Sequence, residues 1–189
     1  MGKDKKRELK LGDDVWQQYI PIIKSNKHTY DIYLQDAIES PAIYNEVCHV
    51  LSTSTKKDKI NLHINTPGGY LDTAFRLVEA IDDCKAETTA ILTGTVASAG
   101  TLIALRCDKL KTPSHLQFMI HNYSGGTSGK GNEIIEHVTF SNAEITRSFN
   151  TVYLGFLSKK EIKRVIAGTD MWMDAKDVKH RWKVMKRRG

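Results

Sequence analysis

Short apolar runs alternate with stretches of helical periodicity along this chain. Thr29 to Leu34 reads as a first strand. Ser40-Pro41 then opens a helix, with Ser40 as N-cap and Pro41 at the first helical position. Ile43, Val47, Val50 and Leu51 keep helical spacing, and Ser52 to Asp58 is a polar loop. Lys59-Ile60-Asn61-Leu62-His63 is strand-like. Tyr70 to Cys84 predicts a helix, with Leu71, Ala74, Phe75, Val78 and Ile81 on one face and Asp72, Arg76 and Glu79 elsewhere. Thr88 to Leu92 reads as a short buried strand. Strand, helix and strand in this order imply parallel neighbours and a right-handed crossover. The pattern repeats from Ile91 through Lys109 to Leu116, so the residues alone support α/β with a mostly parallel sheet.

The second half is more helical. Asn132 to Phe156 predicts a long helix, with Ile134, Ile135, Val138, Ile145, Phe149 and Val152 as its candidate buried face. Ser158-Lys159-Lys160-Glu161 is a capping box opening a short helix that ends at Gly168. Asp174 suits the N-cap of a last helix. Three regions result: a charged arm and apolar docking segment over 1–28, a main domain over 29–178, and a basic tail over 179–189. In the first region Trp16, Tyr19, Ile20, Ile22 and Ile23 form an apolar cluster suited to docking on the body or on a neighbouring subunit.

Length and charge add constraints. A chain of 189 residues fits one domain with a sizeable core. Cys48, Cys84 and Cys107 cannot all pair and show no metal-ligand spacing, so they read as buried thiols in a reducing compartment, the cytoplasm. The histidines also lack such spacing, and neither metal nor organic cofactor is expected. No apolar run approaches a membrane span, and the N-terminus lacks an apolar signal core. Met1-Gly2 begins like a myristoylation signal, but Lys6 stands where that motif wants Ser or Thr. The net charge of +6 and the tail Lys179 to Gly189, with Trp182 interleaved, are compatible with nucleic acid. A solvated tail that keeps an assembly soluble explains them better.

The candidate chemistry centres on Gly94-Thr95-Val96-Ala97-Ser98-Ala99-Gly100, where a strand turns into a buried helix. Small neighbours let a substrate backbone approach Ser98. The helix N-terminus offers unpaired N–H groups that favour negative charge, which suits acyl transfer through an oxyanion. Taken alone, the stretch reads better as a small-residue helix start packed against a neighbour. Two further stretches change the balance. Ile64-Asn65-Thr66-Pro67-Gly68-Gly69 places a glycine turn after one strand, and Phe118-Met119-Ile120-His121 ends another strand with a histidine. Serine, histidine and glycine turn on separate strands are parts of a hydrolase triad and oxyanion hole.

The order and spacing of these motifs resemble the proteolytic subunit of the Clp protease family, from about Thr29 to Val178. The resemblance implies a serine peptidase with a crotonase-like spiral of strand–helix units and a projecting helical handle, here Asn132 to Phe156. It implies Ser98 as nucleophile, His121 as base and Asp170 as third member, with oxyanion donors at Gly69 and Ala99. Asp174 is the less favoured third member. A Gly-rich strand lining the substrate groove is implied at Ser124 to Gly131. The implied assembly is a homo-oligomer of rings that encloses the serines and acts on unfolded or extended polypeptides.

Departures from the family pattern concern partners. Ala99 replaces a common Met, which a backbone role tolerates. Asn61, His63 and Thr112 stand where aromatic or apolar residues commonly receive the loop of an ATPase unfoldase, and the N-terminal arm is charged. These changes disfavour an ATPase partner and point toward the Clp-like proteases that trim scaffold proteins during phage head maturation. A crotonase-type acyl-CoA enzyme is the competing enzyme class, and a non-catalytic or nucleic-acid-binding subunit the competing non-enzyme.

Overall fold

The computed structural model describes residues 21–186. The charged arm and Trp16, Tyr19 and Ile20 of the docking segment lie outside the described residues.

The described chain runs β1 (Ile22–Asn26), β2 (Thr29–Gln35), a 3-10 turn (Pro41–Tyr44), α1 (Asn45–Thr53), β3 (Lys59–Thr66), α2 (Leu71–Asp82), β4 (Glu87–Ala97), α3 (Ala99–Arg106), β5 (Lys109–Lys111), β6 (Leu116–Ile120), α4 (Gly131–Tyr153), α5 (Lys159–Ile166), β7 (Met171–Met173) and α6 (Ala175–Lys186). Seven strands form one mixed sheet in the order β1-β2-β3-β4-β6-β7, with β5 also on β4. The centre is parallel, as the two crossovers predict. Both ends are antiparallel, through β1 on β2 and β7 on β6.

Alternation in β3 gives the sheet two different faces. Ile60, Leu62, Ile64 and Thr66 are buried, whereas Asn61 and His63 are only half-buried on the other face. Each such aliphatic side chain contributes roughly 1.5–3 kcal/mol on burial. Helix α3 is buried from Ala99 through Leu105. Apolar and small all round, it can only lie inside.

Several elements differ from the sequence expectation. Ile22 and Ile23 lie in β1, paired with Tyr33 and Ile32, so this part of the docking segment joins the sheet of the body as a strand that the sequence reading did not anticipate. Lys27 takes a positive φ of 52° between β1 and β2, closing a hairpin too short and polar to register as periodic. Ser40 makes no capping hydrogen bond, and Pro41 starts a 3-10 turn before α1. The basic tail is mostly α6: Trp182 is buried, and Arg181 pairs with Glu161 at 2.8 Å. The Ser158–Glu161 capping box forms as expected.

Helix α4 is divided. Ile145, Phe149, Val152 and Tyr153 pack on the body. Ile135, Val138 and Phe140 are 68%, 39% and 67% exposed, so the N-terminal half leaves much of its apolar surface uncovered by its own chain. Residues 121–128 form no strand, so the strand implied for the glycine-rich segment is not formed there in the single chain.

Candidate active site

Strand β4 must bend to deliver Ser98. Its pairing with β3 shifts register between Ile64 and Thr66. At the bend Gly94 takes a φ of +57°, and Asn65 Oδ1 accepts from the Thr95 N–H at 3.1 Å. A Cβ on Gly94 would lie 2.8 Å from that same oxygen. Past the bend β4 leaves β5 and pairs with β6, which carries His121 at its end.

Ser98 sits between β4 and α3 with φ 52° and ψ −125°. A residue with a Cβ is strained there, and such strain persists only where surrounding bonds hold it. Here the Ser98 N–H donates to Met119 O at 2.8 Å, and Ser98 O accepts from the Thr101 N–H at 2.9 Å. The result aims the side chain at β6: Ser98 Oγ lies 2.7 Å from His121 Nε2. Both residues are half-buried, open on one side.

The glycine turn packs against this corner. Gly68 has a φ of +106°, and a Cβ on it would lie 2.5 Å from Ser98 Cβ and 3.1 Å from Ala99 N. No side chain fits there, so Gly68 is required on both steric and conformational grounds. Its N–H already donates to Thr66 Oγ1 at 3.1 Å. The Gly69 N–H has no acceptor among the described residues, and a Cβ on Gly69 would strike Ile38 O at 2.1 Å. Ala99 opens α3, so its N–H is among those a helix leaves unpaired.

The two aspartates separate. Asp174 Oδ1 accepts from the Asp177 N–H at 2.8 Å, the N-cap geometry expected for α6. Asp170 directly precedes β7. The antiparallel register pairs Ile120 with Met171, so one further step sets Asp170 opposite His121. Residues opposite each other in such a ladder share a face. Asp170 is nevertheless exposed and makes no hydrogen bond to His121 among the described residues. Ser98 and His121 are therefore brought into contact, and Asp170 is brought into register only.

Sequence reading singled out Gly69 but not Gly68, whose tight fit depends on where β4 ends. It also passed over Met119 O and Thr101. The i to i−3 spacing of Thr101 was a usable signal, because threonine in a first helical turn often bonds back to the preceding carbonyl. No group of three or more metal-ligating side chains occurs among the described residues. No helix among them is long and apolar enough to cross a membrane.

Comparison with known proteins identifies the family. The Clp protease family model matches residues 16–181. An ATP-dependent Clp protease proteolytic subunit of Streptococcus suis is 32% identical over 122 residues, 62% of this chain and 62% of the relative. The proteolytic subunit 3 of Rhizobium meliloti is 27% identical over 94% of this chain and 89% of its own length. The subunit of Streptococcus mutans is 28% identical, covering 84% of this chain and 91% of the relative. With a family match over most of its length, and with the seven-stranded mixed sheet and six helices of that fold, the chain belongs to the Clp protease family.

Proposed function

We propose that the chain is a serine endopeptidase that cleaves unfolded or extended polypeptides inside an oligomeric chamber. Membership of the Clp protease family implies a serine peptidase. The observation that carries the reading to residues is the 2.7 Å contact of Ser98 Oγ with His121 Nε2 at a strained strand–helix corner. Ser98 Oγ attacks the scissile carbonyl while His121 Nε2 takes its proton and later passes it to the leaving amine. That role needs the proton of neutral His121 on Nδ1; Asp170, opposite in register but not hydrogen-bonded to His121 in this structure, is the residue that would close on it, orient the ring and stabilise its charged form. The N–H groups of Gly69 and Ala99 receive the oxyanion, each worth about 3 kcal/mol in the transition state. No step calls on a cofactor.

A cavity of about 460 Å³ has Leu71, Phe75, Tyr123, Val138, Phe140 and Ile145 among its lining residues, with Asp72, His137 and Glu144. It lies between the helix after the glycine turn and the segment after His121, where an apolar substrate side chain can seat. The exposed apolar half of α4 needs a cover, and a second copy of the chain supplies one in a ring or stacked rings. The three free cysteines fit the cytoplasm.

On partners, one finding favours action without an ATPase, as in a phage head-maturation protease. Asn61 Nδ2 donates to Asp31 Oδ1 at 3.0 Å, and His63 Nε2 lies 2.9 Å from the same oxygen. His63 also stacks on Tyr33 at 4.4 Å between ring centroids. The face where relatives named ATP-dependent would be expected to receive an apolar loop is here a polar, internally satisfied network.

The test is covalent labelling by a fluorophosphonate, with proteolysis of a disordered protein by wild type and Ser98→Ala. Labelling at Ser98 and turnover that disappears in the variant are expected. Turnover that survives Ser98→Ala would reject the reading, and turnover of an acyl-CoA thioester without labelling would favour the crotonase class.

A further inference from the structure

We propose that Tyr153 is a positioning residue for the oxyanion site, acting through Thr101 on the peptide between Ser98 and Ala99. The inference rests on the peptidase reading and adds a determinant from a distant element.

Tyr153 ends α4 and stands 52 positions from Thr101 in the chain. Its hydroxyl lies 2.7 Å from Thr101 Oγ1, and Thr101 Oγ1 lies 2.7 Å from Ser98 O. A carbonyl oxygen only accepts, so the Thr101 proton is committed to Ser98 O. Thr101 Oγ1 must then accept, and the Tyr153 O–H donates. The relay thus has one direction, from Tyr153 to Thr101 to Ser98. Both side chains are sealed from water, at 1% and 0% exposed. Burial also pushes the phenol well above the ordinary tyrosine range, so Tyr153 stays a neutral donor.

The carbonyl at the end of the relay matters because a peptide unit is planar and trans. Fixing the direction of Ser98 O fixes the opposite direction of the Ala99 N–H, the proposed oxyanion donor. Ser98 holds that plane at a strained φ of 52° and ψ of −125°. Without a side-chain donor, a backbone N–H alone, here that of Thr101, would hold the carbonyl. Here the Thr101 hydroxyl adds a second bond, and Tyr153 keeps that hydroxyl from turning elsewhere. Loss of the relay loosens the plane at the moment charge develops on the substrate oxygen. That moment is the transition state, so the effect falls on kcat rather than KM.

The test uses the full chain as wild type, Tyr153→Phe, Thr101→Val, Thr101→Ser and the double Tyr153→Phe/Thr101→Val. Readouts are the fluorophosphonate labelling rate, kcat and KM on a short peptide substrate, thermal stability and light scattering. Removing one buried neutral hydrogen bond should lower kcat and labelling roughly five- to tenfold, with KM changed less than about twofold. Thr101→Ser keeps the hydroxyl and should retain near wild-type rates. The double variant should be no slower than Thr101→Val, because Tyr153 acts only through Thr101.

Wild-type kcat in Tyr153→Phe, with thermal stability alone reduced, would overturn the inference and leave two hydroxyls that merely satisfy each other. Multiplicative losses in the double variant, or a fall in kcat that tracks dissociation of the assembly, would overturn it equally. If Thr101→Val does not fold, Tyr153→Phe and Thr101→Ser still decide. Absence of Ser98 labelling in wild type rejects the peptidase reading and this inference together; labelled wild type with unchanged variants rejects this inference alone.

Discussion

The backbone N–H of Ser98 donates to the carbonyl of Met119 at 2.8 Å, joining the corner that carries the serine to the strand that carries the histidine. The 2.7 Å contact between Ser98 Oγ and His121 Nε2 follows from this main-chain anchor. Two side chains on one strand pair are held by the ladder rather than by their own flexibility.

The proposed triad predicts unequal mutational effects. Ser98→Ala should abolish peptide turnover and His121→Ala should come close, because serine is a weak nucleophile until its proton is taken. Asp170→Asn should lose much more activity than Asp174→Asn. Asp174→Ala should instead lower stability by about 1 kcal/mol through loss of the α6 cap. Steady-state kinetics beside thermal unfolding separates the two, and a greater kinetic loss at Asp174 would move the third catalytic role there.

Gly68→Ala should inactivate without replacing any charged or nucleophilic group. The new methyl would stand 2.5 Å from Ser98 Cβ at a backbone φ of +106°. Either Ser98 moves or the turn does, at a cost of roughly 1–3 kcal/mol in strain and loss of the oxyanion geometry. The fluorophosphonate labelling rate is the measure; wild-type labelling would mean that the corner is far more yielding than its packing indicates.

The exposed half of α4 predicts the assembly. Replacing Ile135 and Phe140, 68% and 67% exposed, with serine should leave the fold intact and dissociate the oligomer. Light scattering at micromolar concentration should show the wild type well above monomer mass and the variant shifted down. A fully active wild-type monomer would refute the enclosed chamber.

Arg181 predicts an acid-sensitive seat for α6. Its guanidinium bonds both oxygens of Glu161 and, with the capping bonds from Ser158, holds that carboxyl down to about 2 from an unfolded value near 4.5. A depressed folded value means that the stabilisation is present above the unfolded value and is lost as pH falls toward the folded one. The pair is 28% and 23% exposed, so its contribution above that window is on the order of 1–2 kcal/mol. Glu161→Gln keeps an acceptor for Ser158 and removes the charge. Melting curves of variant and wild type should converge between pH 4.5 and 2; a gap that does not depend on pH would refute the assignment.

The polar network at Asp31 predicts weak coupling to an unfoldase. Without an apolar pocket a docking loop loses anchoring area worth on the order of a few kcal/mol, or about a hundredfold in affinity. Degradation of a stably folded, tagged protein should therefore gain little from added Clp-type unfoldase and ATP. Robust ATP-dependent degradation would show that the network opens to admit the loop.

Periodicity and turn chemistry are local, and they determined what depends on neighbours in sequence. The two parallel crossovers, the long helix, the Ser158–Glu161 capping box and the Asp174 cap were legible because each is written within one turn or one alternation. The three motifs also marked Ser98, His121 and the glycine turn. Distance along the chain hid the rest. The β1–β2 hairpin was missed because its strands are short and polar at one end, so pairing rather than hydrophobic pattern defines it. The basic tail read as solvent-facing until Trp182 and Arg181 found partners in the core and on α5. Only the assembled sheet with its helices puts Asp170 opposite His121, Gly68 against Ser98, and Tyr153 against Thr101. Those pairs join residues some 30 to 52 positions apart, where strand pairing and tertiary packing decide and no local preference carries information.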